Sequence, residues 1–258
     1  MSDETQGPAE RHVLILKQLK EHGYVTVSGL SDLLGVSEVT IRKDLQKLER
    51  RNLLYRTHGG ANLRNPYVLD RPLNEKASRY AEEKRRIGQA AAALVNDRDS
   101  IILGSGTTMT QVARHLPDTH ELTVITSAMN VALEISHLQG VEILMLGGMV
   151  RHTSKSVVGP YAEDMIEGYA CDKLFLGVDG FDLDYGLTTA NAQEARLNQA
   201  MIRAAQRTTI VTDSSKFGQR GFRRICGLEA VYRVITDSAV PAETVERLEG
   251  RGIEVDVV

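Results

Sequence analysis

The chain has 258 residues, of which 42% are hydrophobic, so it is long enough to bury one small and one medium-sized core. Its formal net charge of −3 excludes a protein that holds nucleic acid through bulk positive charge. The separation of Cys171 and Cys226 fits no metal-binding motif, and we expect two free thiols. The N-terminus is acidic and polar, and no apolar run approaches the roughly 18 residues that span a bilayer. We therefore expect a cytoplasmic protein with no membrane partner.

The first sixty residues have the order of a winged helix-turn-helix, which we place at 9–61 after a disordered tail at 1–8. Three helical patterns and one short strand pattern follow one another: residues 11–20, 27–34, 37–51 and 53–56. Gly35 and Val36 make the tight turn into the third helix, and residues 58–61 are typical of the turn of a wing.

The third helix of this module is predicted to have one apolar and one basic face. Ser37 can cap it, because the hydroxyl can accept a hydrogen bond from the amide three residues on. Ile41, Leu45 and Leu48 recur at i, i+4 and i+7, so they form a face that must pack against a core. The opposite face and its flank carry the following residues: Val39, Arg42, Lys43, Gln46, Lys47 and Arg50.

A basic helix face has two interpretations, a solvated surface helix or a nucleic-acid contact. The two preceding helices favour DNA, and so does the charge, since residues 37–64 carry net +4 and the remainder of the chain carries −7. An amphipathic helix fits the major groove. In this interpretation the base contacts come from Ser37, Val39, Thr40, Lys43 and Gln46, and the phosphate contacts from Arg42, Lys47 and Arg56. His58 and Arg64 would lie on or near the wing.

A segment with linker composition, 62–74, leads into a second domain at 75–258. A long helix is predicted over 75–95, and the charged residues 82–86 are expected on its solvated face. Seven strand patterns follow: residues 100–103, 122–126, 141–146, 173–178, 208–212, 232–236 and 254–257. Helical patterns lie between most of them: residues 108–116, 128–138, 161–167, 192–205 and 242–249. This alternation predicts an α/β domain with a largely parallel sheet.

Ligands of such a sheet bind beyond the carboxyl ends of its strands, where this chain places polar residues. The stretch 104–108, GSGTT, is either a tight turn with a helix cap or a phosphate loop formed by Ser105, Gly106, Thr107 and Thr108. Further polar residues follow other predicted strands and favour a phosphorylated polar ligand: Thr126, Gly148, Asp179 and Lys216. Lys216 would supply a positive charge, and Asp179 would accept from sugar hydroxyls.

These motifs together resemble the DeoR family of bacterial transcription regulators. The resemblance rests on Arg11 and on five stretches spread over nearly the whole chain: residues 36–45, 105–108, 146–148, 175–180 and 213–217. Residues 186–189 and 194–198 are most similar to the branch named AgaR, which responds to phosphorylated amino sugars.

The resemblance implies a repressor of a carbohydrate operon whose sensor domain is related to ribose-5-phosphate isomerase and the coenzyme A transferases. It further implies an effector rather than a cofactor, with N-acetylgalactosamine 6-phosphate and galactosamine 6-phosphate as candidates. Independently of the resemblance, we expect Glu194 to bind the effector as a hydrogen-bond acceptor. Gly104 stands where the family usually has Asp, and Ser127 where it often has Asn. The expected partners are operator DNA, the phosphorylated sugar and further copies of the chain in a homodimer or homotetramer.

Two other classes of function have some support in the sequence. A sugar-phosphate isomerase could use Asp179, Asp182 and Glu194 as acid and base, but related isomerases also need a lysine, and none lies between Lys173 and Lys216. We therefore expect a binding site and no catalysis. A metal sensor is the third class, but the spacing of the histidines at 115, 120, 137 and 152 fits no ligand motif, so no metal site is predicted.

Overall fold

The computed structural model describes residues 7–51, 53–56, 59–62, 70–118 and 120–258. The chain forms two compact units, residues 1–67 and 68–258. Most of the predicted tail and part of the predicted linker lie outside the described residues, as do His58 and Arg64. In the described part of the chain, no helix is both long enough and apolar enough to cross a membrane.

The described residues of the first unit form three helices and a small antiparallel sheet. The helices are α1 (Pro8–His22), α2 (Val27–Leu34) and α3 (Glu38–Arg50). The strands are β1 (Tyr24–Thr26), β2 (Tyr55–Arg56) and β3 (Gly60–Asn62), in the sheet order β1-β3-β2. Buried side chains from all three helices form its core, among them Ile15, Leu30 and Leu45. The predicted winged helix-turn-helix is therefore present.

One local prediction in this unit was wrong. Gly60 and Ala61 were expected in a turn, but they lie in β3 and pair with Thr26 and Val25 of β1, a strand that the sequence pattern did not indicate. A Cβ atom on Gly60 would lie 1.9 Å from the carbonyl oxygen of Val25. The glycine is required for this close approach of two strands, and it had been interpreted as a turn residue instead.

The second unit contains seven helices and twelve strands among its described residues. The helices are α4 (Leu73–Ala77), α5 (Ala81–Ala92), α6 (Thr107–Arg114), α7 (Met129–Ile135), α8 (Pro160–Glu167), α9 (Ala192–Ala204) and α10 (Ala242–Glu249). The strands are β4 (Ser100–Leu103), β5 (Leu122–Thr126), β6 (Val141–Met145), β7 (Met149–Arg151), β8 (Ser156–Val158), β9 (Cys171–Leu176), β10 (Gly180–Asp182), β11 (Gly186–Thr189), β12 (Ala205–Val211), β13 (Arg223–Cys226), β14 (Arg233–Thr236) and β15 (Glu254–Val257).

A seven-stranded parallel sheet is the centre of the second unit, in the order β15-β14-β12-β9-β4-β5-β6. Its strands correspond to the seven strands predicted from the sequence. Successive residues of β4 pack into different clusters, Ile102 into one and Ile101 and Leu103 into the other, so both faces of the sheet are covered. The predicted α/β fold class is confirmed.

The strand order reverses direction at one place, between β4 and β9. From β4 the chain moves outwards through β5 and β6, and it then returns to β9 on the other side of β4. Loops that leave β4 and β9 therefore diverge and open a space beyond the carboxyl ends of these two strands. In doubly wound sheets this topological switch point is where ligands bind.

The predicted helix over 75–95 is instead two helices, α4 and α5. Tyr80 has φ of 54°, which lies in the left-handed region and interrupts the helix before Ala81. Two antiparallel additions were also not predicted, the β7–β8 hairpin and the small sheet β10-β11-β13. Their strands are mostly three or four residues long, too short to give a clear alternation in the sequence.

Candidate functional site

The outer face of α3 is the first candidate site. The hydroxyl of Ser37 accepts a hydrogen bond from the amide of Thr40 at 3.3 Å, so the predicted helix cap is present. Ile41, Leu45 and Leu48 are buried in the core of the first unit, as their spacing predicted. The helix is thereby fixed by its apolar face, which leaves the other face to solvent.

The residues predicted to contact DNA lie mostly on this solvent face. Lys43, Gln46 and Lys47 are exposed, and Val39 is 58% exposed although it is apolar. Thr40 is half-buried, and its hydroxyl lies 3.0 Å from that of Ser37. An exposed valine among long polar side chains is suited to contact a thymine methyl group.

The two predicted phosphate-binding arginines near α3 are each held by an acid. Arg42 donates to Glu38 at 2.6 Å, one turn away on the same exposed face. The backbone amide of Arg56 donates to Glu49 at 3.1 Å, and the Arg56 guanidinium lies 3.6 Å from the same carboxylate. Exposed pairs of this kind contribute little to stability, so both guanidinium groups can exchange a carboxylate for a phosphate.

The second candidate site lies at the switch point beyond β4 and β9. Ser105 and Gly106 lie in the short loop after β4, and Thr107 and Thr108 are in the first turn of α6. Gly106 has φ of 119° and ψ of 172°, and a Cβ atom built on it would meet no atom within 4 Å. The start of α6 therefore offers free amides and the positive end of the helix dipole next to open space.

Glu194 lies beside this loop, although it is 89 residues away in sequence. The Ser105 hydroxyl donates to Glu194 at 3.0 Å, and the guanidinium of Arg151 donates to the other carboxylate oxygen. Asn191 caps α9 by accepting from the amide of Glu194 at 3.0 Å, which fixes the backbone at this position. Burial and the neighbouring charge of Asp179 raise the pKa of Glu194.

Asp179 follows β9 and lies close enough to Glu194 to influence its charge. It accepts from Lys76 at 2.7 Å, and also from the hydroxyl of Thr189 and the amide of Ala190, both at 3.0 Å. Burial opposes ionisation, but Lys76 and these donors hold the pKa of Asp179 below its usual value. We call Ser105, Lys76, Arg151, Asp179 and Glu194 the switch-point cluster.

A group of cations adjoins the switch-point cluster. Lys84 is only 5% exposed and donates to the backbone carbonyls of Lys76 and Arg79, each at 2.6 Å. Burial lowers the pKa of Lys84 to about 8, with Asp213 opposing this shift and Lys216 adding to it. In the described part of the chain, the Lys216 amino group makes no ion pair. One oxygen of buried Asp213 also has no hydrogen-bond partner there.

Two residues that were predicted to bind the effector have other environments. Thr126 is completely buried, and its hydroxyl accepts from the amide of Ala128 at 3.1 Å. Gly148 is exposed with φ of 148°, and a Cβ atom there would lie 2.7 Å from the carbonyl oxygen of Val158. Thr126 thus supports the start of α7, and Gly148 allows β7 to approach β8 closely. Among the described residues, no hydrogen bond joins Thr126 or Gly148 to the switch-point cluster.

Gly104 and Ser127 are the two positions that we expected to differ from the usual pattern of the family that the sequence resembles. A Cβ atom at Gly104 would lie 3.0 Å from a methyl group of Leu176, so a larger residue requires that side chain to shift. The amide of Gly104 donates to Phe175 at 3.0 Å, which joins β4 to β9. Ser127 is buried, and its carbonyl accepts from Val157 at 2.8 Å. Both residues are therefore part of the framework around the site.

Three residues of the site were missed or misinterpreted in the sequence. Lys84 was expected on a solvated charged face, and this was wrong because its amino group is buried against two carbonyls. Its neighbours Glu82 and Arg85 are exposed, as expected, and they form an ion pair at 2.6 Å. Lys76 and Arg151 were not singled out at all. No local signal identifies them, since their partners lie 103 and 43 residues away.

A separate groove of about 380 Å³ lies on the second unit, away from the predicted residues. It is lined by β13 and its neighbours, including Tyr185, Gln199, Phe222 and Arg224. The Arg220 and Arg224 guanidinium groups stack on Tyr185 at 4.7 and 5.5 Å.

Among the described residues, no group of three His, Cys, Asp or Glu side chains has the arrangement of a metal site.

Comparison with known families assigns both units. The profile described as "DeoR-like helix-turn-helix domain" matches residues 11–66, and the one described as "DeoR C terminal sensor domain" matches residues 79–238.

Three known proteins illustrate the similarity. A protein of Escherichia coli O157:H7, provisionally named as an aga operon transcriptional repressor, is 38% identical over 98% of this chain and 94% of its own length. The HTH-type transcriptional regulator YulB of Bacillus subtilis is 38% identical over 97% and 96%. The structure of ribose 5-phosphate isomerase from Plasmodium falciparum is 18% identical over 54% of each chain, with a TM-score of 0.39.

Proposed function

The chain belongs to the DeoR family of transcription regulators, and we propose that it represses a carbohydrate operon until a phosphorylated sugar releases it from the operator. Family membership confirms the resemblance that the sequence motifs carried. It rests on matches to both units and on relatives that are aligned over nearly their whole length. The details of DNA and effector binding are inferred from the geometry of the two candidate sites.

Operator binding is assigned to the exposed face of α3. Lys43 and Gln46 project from the middle of this face and would reach base edges in the major groove, while Val39 lies near the helix start. Lys47 and the paired Arg42 and Arg56 would hold phosphates and so fix the orientation of the helix. The observation that supports this assignment is the complete burial of the opposite face, which leaves α3 only one surface for a ligand.

Effector binding is assigned to the switch point. The free amides of α6 would hold the phosphate together with Gly106, and Asp179 and Glu194 would accept from sugar hydroxyl or amino groups. Lys216, which makes no ion pair with the described residues, would supply a positive charge. The single observation that supports this best is the convergence of two carboxylates, whose side chains are only 12% and 17% exposed, beside the start of α6 at the place where the sheet order reverses.

The chemical class of the effector is proposed to be a phosphorylated amino sugar. The aga operon relative supports this class. Binding of the purified protein to DNA upstream of its own gene would be titrated at fixed salt with N-acetylgalactosamine 6-phosphate, galactosamine 6-phosphate, glucosamine 6-phosphate and glycerol 3-phosphate. One phosphorylated amino sugar should weaken binding while its unphosphorylated form does not. A protein that binds this DNA but responds to none of these compounds would refute the effector class.

An isomerase with an appended DNA-binding unit is the alternative. The lack of a lysine between Lys173 and Lys216 counted against it, but Lys76 reaches Asp179 from elsewhere in the chain, so that argument no longer holds. We nevertheless propose a binding site, because the named relatives are transcription regulators. Turnover of ribose 5-phosphate or glucosamine 6-phosphate by the purified protein, abolished in Glu194→Gln, would establish the enzyme instead.

The assembly is proposed to be a homodimer or homotetramer that acts in the cytoplasm. A single recognition helix contacts few bases, so paired half-sites are needed for a specific operator. Light scattering of the purified full chain should therefore give at least twice the monomer mass at concentrations where it binds DNA. A monomer at those concentrations would contradict this proposal.

A further inference from the structure

The segment at residues 70–80, here called the strap, connects the residues around the predicted linker with α5. It contains α4 and ends at Tyr80. Several polar contacts tie it to the rest of the second unit, and two of them involve residues of the switch-point cluster. The amide of Leu73 also donates to the carbonyl of Thr153 at 2.9 Å. The position of the strap thus depends on groups that the proposed effector would contact.

Arg151 makes the first of these two contacts. Its guanidinium donates to Glu194 through one nitrogen and to Asp70 at 2.6 Å through the other. The hydroxyls of Thr153 and Ser154 each lie 3.2 Å from it, which fixes its orientation. The Arg151 side chain is only 10% exposed, whereas that of Asp70 is 34% exposed. One buried cation therefore bridges an effector-site carboxylate and a carboxylate at the start of the strap.

Lys76 makes the second contact. It lies on the strap, six residues after Asp70. It bonds Asp179 directly, and its carbonyl accepts from buried Lys84. Both carboxylates assigned to the effector thus hold the strap, Glu194 through Arg151 and Asp179 through Lys76. The contact through Arg151 is the one that reaches Asp70, which lies within the predicted linker at 62–74.

We propose that Arg151 is a positioning residue that transmits effector binding to the strap, and that Asp70, Arg151 and Glu194 form a latch which the effector opens. This inference rests on the proposed function. A sugar hydroxyl or amino group that donates to Glu194 competes with Arg151 for the same carboxylate oxygens. Arg151 then loses one of its two anionic partners, and its guanidinium turns towards the ligand. Asp70 loses its cation as a result, and the start of the strap is released.

The closed latch corresponds to the DNA-competent state in this scheme. An effector that binds the open state better shifts the population towards it, and the operator affinity falls accordingly. Linkage requires the reverse as well, since anything that opens the latch must improve effector binding. A purely structural role for Arg151 would lower both affinities or neither. The opposite signs of the two changes therefore distinguish a latch from a packing contact.

Asp70→Asn is the decisive variant, because it removes one charge from an accessible position and keeps the side-chain size. Without effector, the operator affinity of this variant should be about tenfold lower than that of the wild type. Saturating galactosamine 6-phosphate or N-acetylgalactosamine 6-phosphate should then lower it by less than about a further twofold. Calorimetry on the DNA-free protein should show effector binding that is a few-fold tighter. Hydrogen exchange at the Leu73 amide should become faster.

Glu75→Gln is the matched control. Glu75 lies on the same strap, but its ion pair is a long one of 3.9 Å with exposed Arg71 and does not involve the latch. It should behave like the wild type in all four measurements, and Arg151→Lys should retain part of the response. The latch would be overturned if the Asp70→Asn protein had the same rate of hydrogen exchange at the Leu73 amide and the same operator affinity as the wild type. A wild-type protein that binds DNA but responds to no sugar phosphate would refute the proposed effector class, while these two effector-free measurements still decide on the latch.

Discussion

Arg11 of α1 donates to Asp44 of α3 at 2.8 Å, and this ion pair joins the first helix of the helix-turn-helix to the helix proposed to contact DNA. Asp44 is only 2% exposed, and its second oxygen lies 3.0 Å from His12. Burial opposes ionisation, but Arg11 and His12 hold the pKa of Asp44 below its usual value. The orientation of α3 therefore depends on a charge within the core of the first unit.

Asp44→Asn should destabilise the first unit by about 3 kcal/mol, because the change removes one charge of a buried ion pair and keeps the other. The depressed pKa also gives the sign of the pH dependence. The stabilisation is present above the unfolded-state pKa, near 4, and is lost as the pH falls through the lower folded-state pKa. Thermal unfolding of the variant should therefore lose this acid-range dependence.

Asp32→Asn is the control for this measurement, since Asp32 is an exposed acid on the neighbouring helix α2. Its unfolding temperature should stay near that of the wild type between pH 3 and pH 7, consistent with the weak contribution of surface charges. If Asp44→Asn and Asp32→Asn unfold alike, the Arg11–Asp44 pair contributes nothing to the stability of the unit.

The example of Asp44 shows where prediction from the sequence ended. The periodicity of Ile41, Leu45 and Leu48 correctly predicted which face of α3 is buried, because an amphipathic helix has one way to hide its apolar residues. Asp44 had entered the count of local charge and the family motif at 36–45, but neither predicted that its side chain is buried and paired. Its partner Arg11 is 33 residues away, and no local pattern connects the two.

The second unit shows the same division. Short runs such as 100–103 and 122–126 were predicted with their observed bounds, because a strand buried on both faces is continuously apolar. The break at Tyr80 was missed, since neither glycine nor proline marks it and the left-handed conformation is rare for tyrosine. That break allows Lys84 to donate to carbonyls of the strap, so a backbone feature without a sequence signal determines part of the site.

Lys43→Ala and Lys47→Ala should affect DNA binding in different ways. Lys43 is proposed to contact bases, so its loss should reduce the preference for the operator over unrelated DNA by about 1–3 kcal/mol. Lys47 is proposed to contact phosphate, so its loss should weaken binding to all sequences and lower the salt slope by about one. Titrations of both DNAs at several salt concentrations separate these effects.

Lys17→Ala provides the reference for these titrations, because Lys17 is an exposed lysine of α1 whose side chain is 66% accessible. The variant removes the same charge without touching α3. Equal losses of affinity in all three variants would mean that only total charge matters, and the assignment of α3 as the recognition helix would then be untenable.

Gly106→Ala should weaken effector binding more than it weakens the fold. With φ of 119° and ψ of 172°, Gly106 occupies a region that is essentially restricted to glycine, so alanine adds about 1–3 kcal/mol of backbone strain. A Cβ atom meets nothing within 4 Å, so no clash adds to this strain. The loop would relax and misplace the amides of α6. Calorimetry should show a loss of at least about tenfold in affinity for a phosphorylated amino sugar.

Gly168→Ala is suited as the control, since Gly168 has ordinary right-handed angles and ends α8. It should change neither the unfolding temperature nor the effector affinity appreciably. Should Gly106→Ala bind the sugar phosphate as tightly as Gly168→Ala does, the loop at 105–108 would not be the phosphate site, and the interpretation as a simple turn with a helix cap would be correct.

Lys84 should give the second unit an unusual dependence of stability on alkaline pH. Burial lowers its pKa to about 8 from 10.5, so between these values the unfolded chain holds a proton that the folded protein has released. Stability attributable to Lys84 therefore rises with pH across this window, by about 3 kcal/mol in total. Lys84→Met removes the titrating group, whereas Lys155→Met removes an exposed lysine. The free energy of unfolding would be measured with denaturant from pH 7.5 to 10.5. Lys155→Met should keep the wild-type dependence on pH, and Lys84→Met should lose the rise. The same pH dependence in both variants would mean that Lys84 is in solvent.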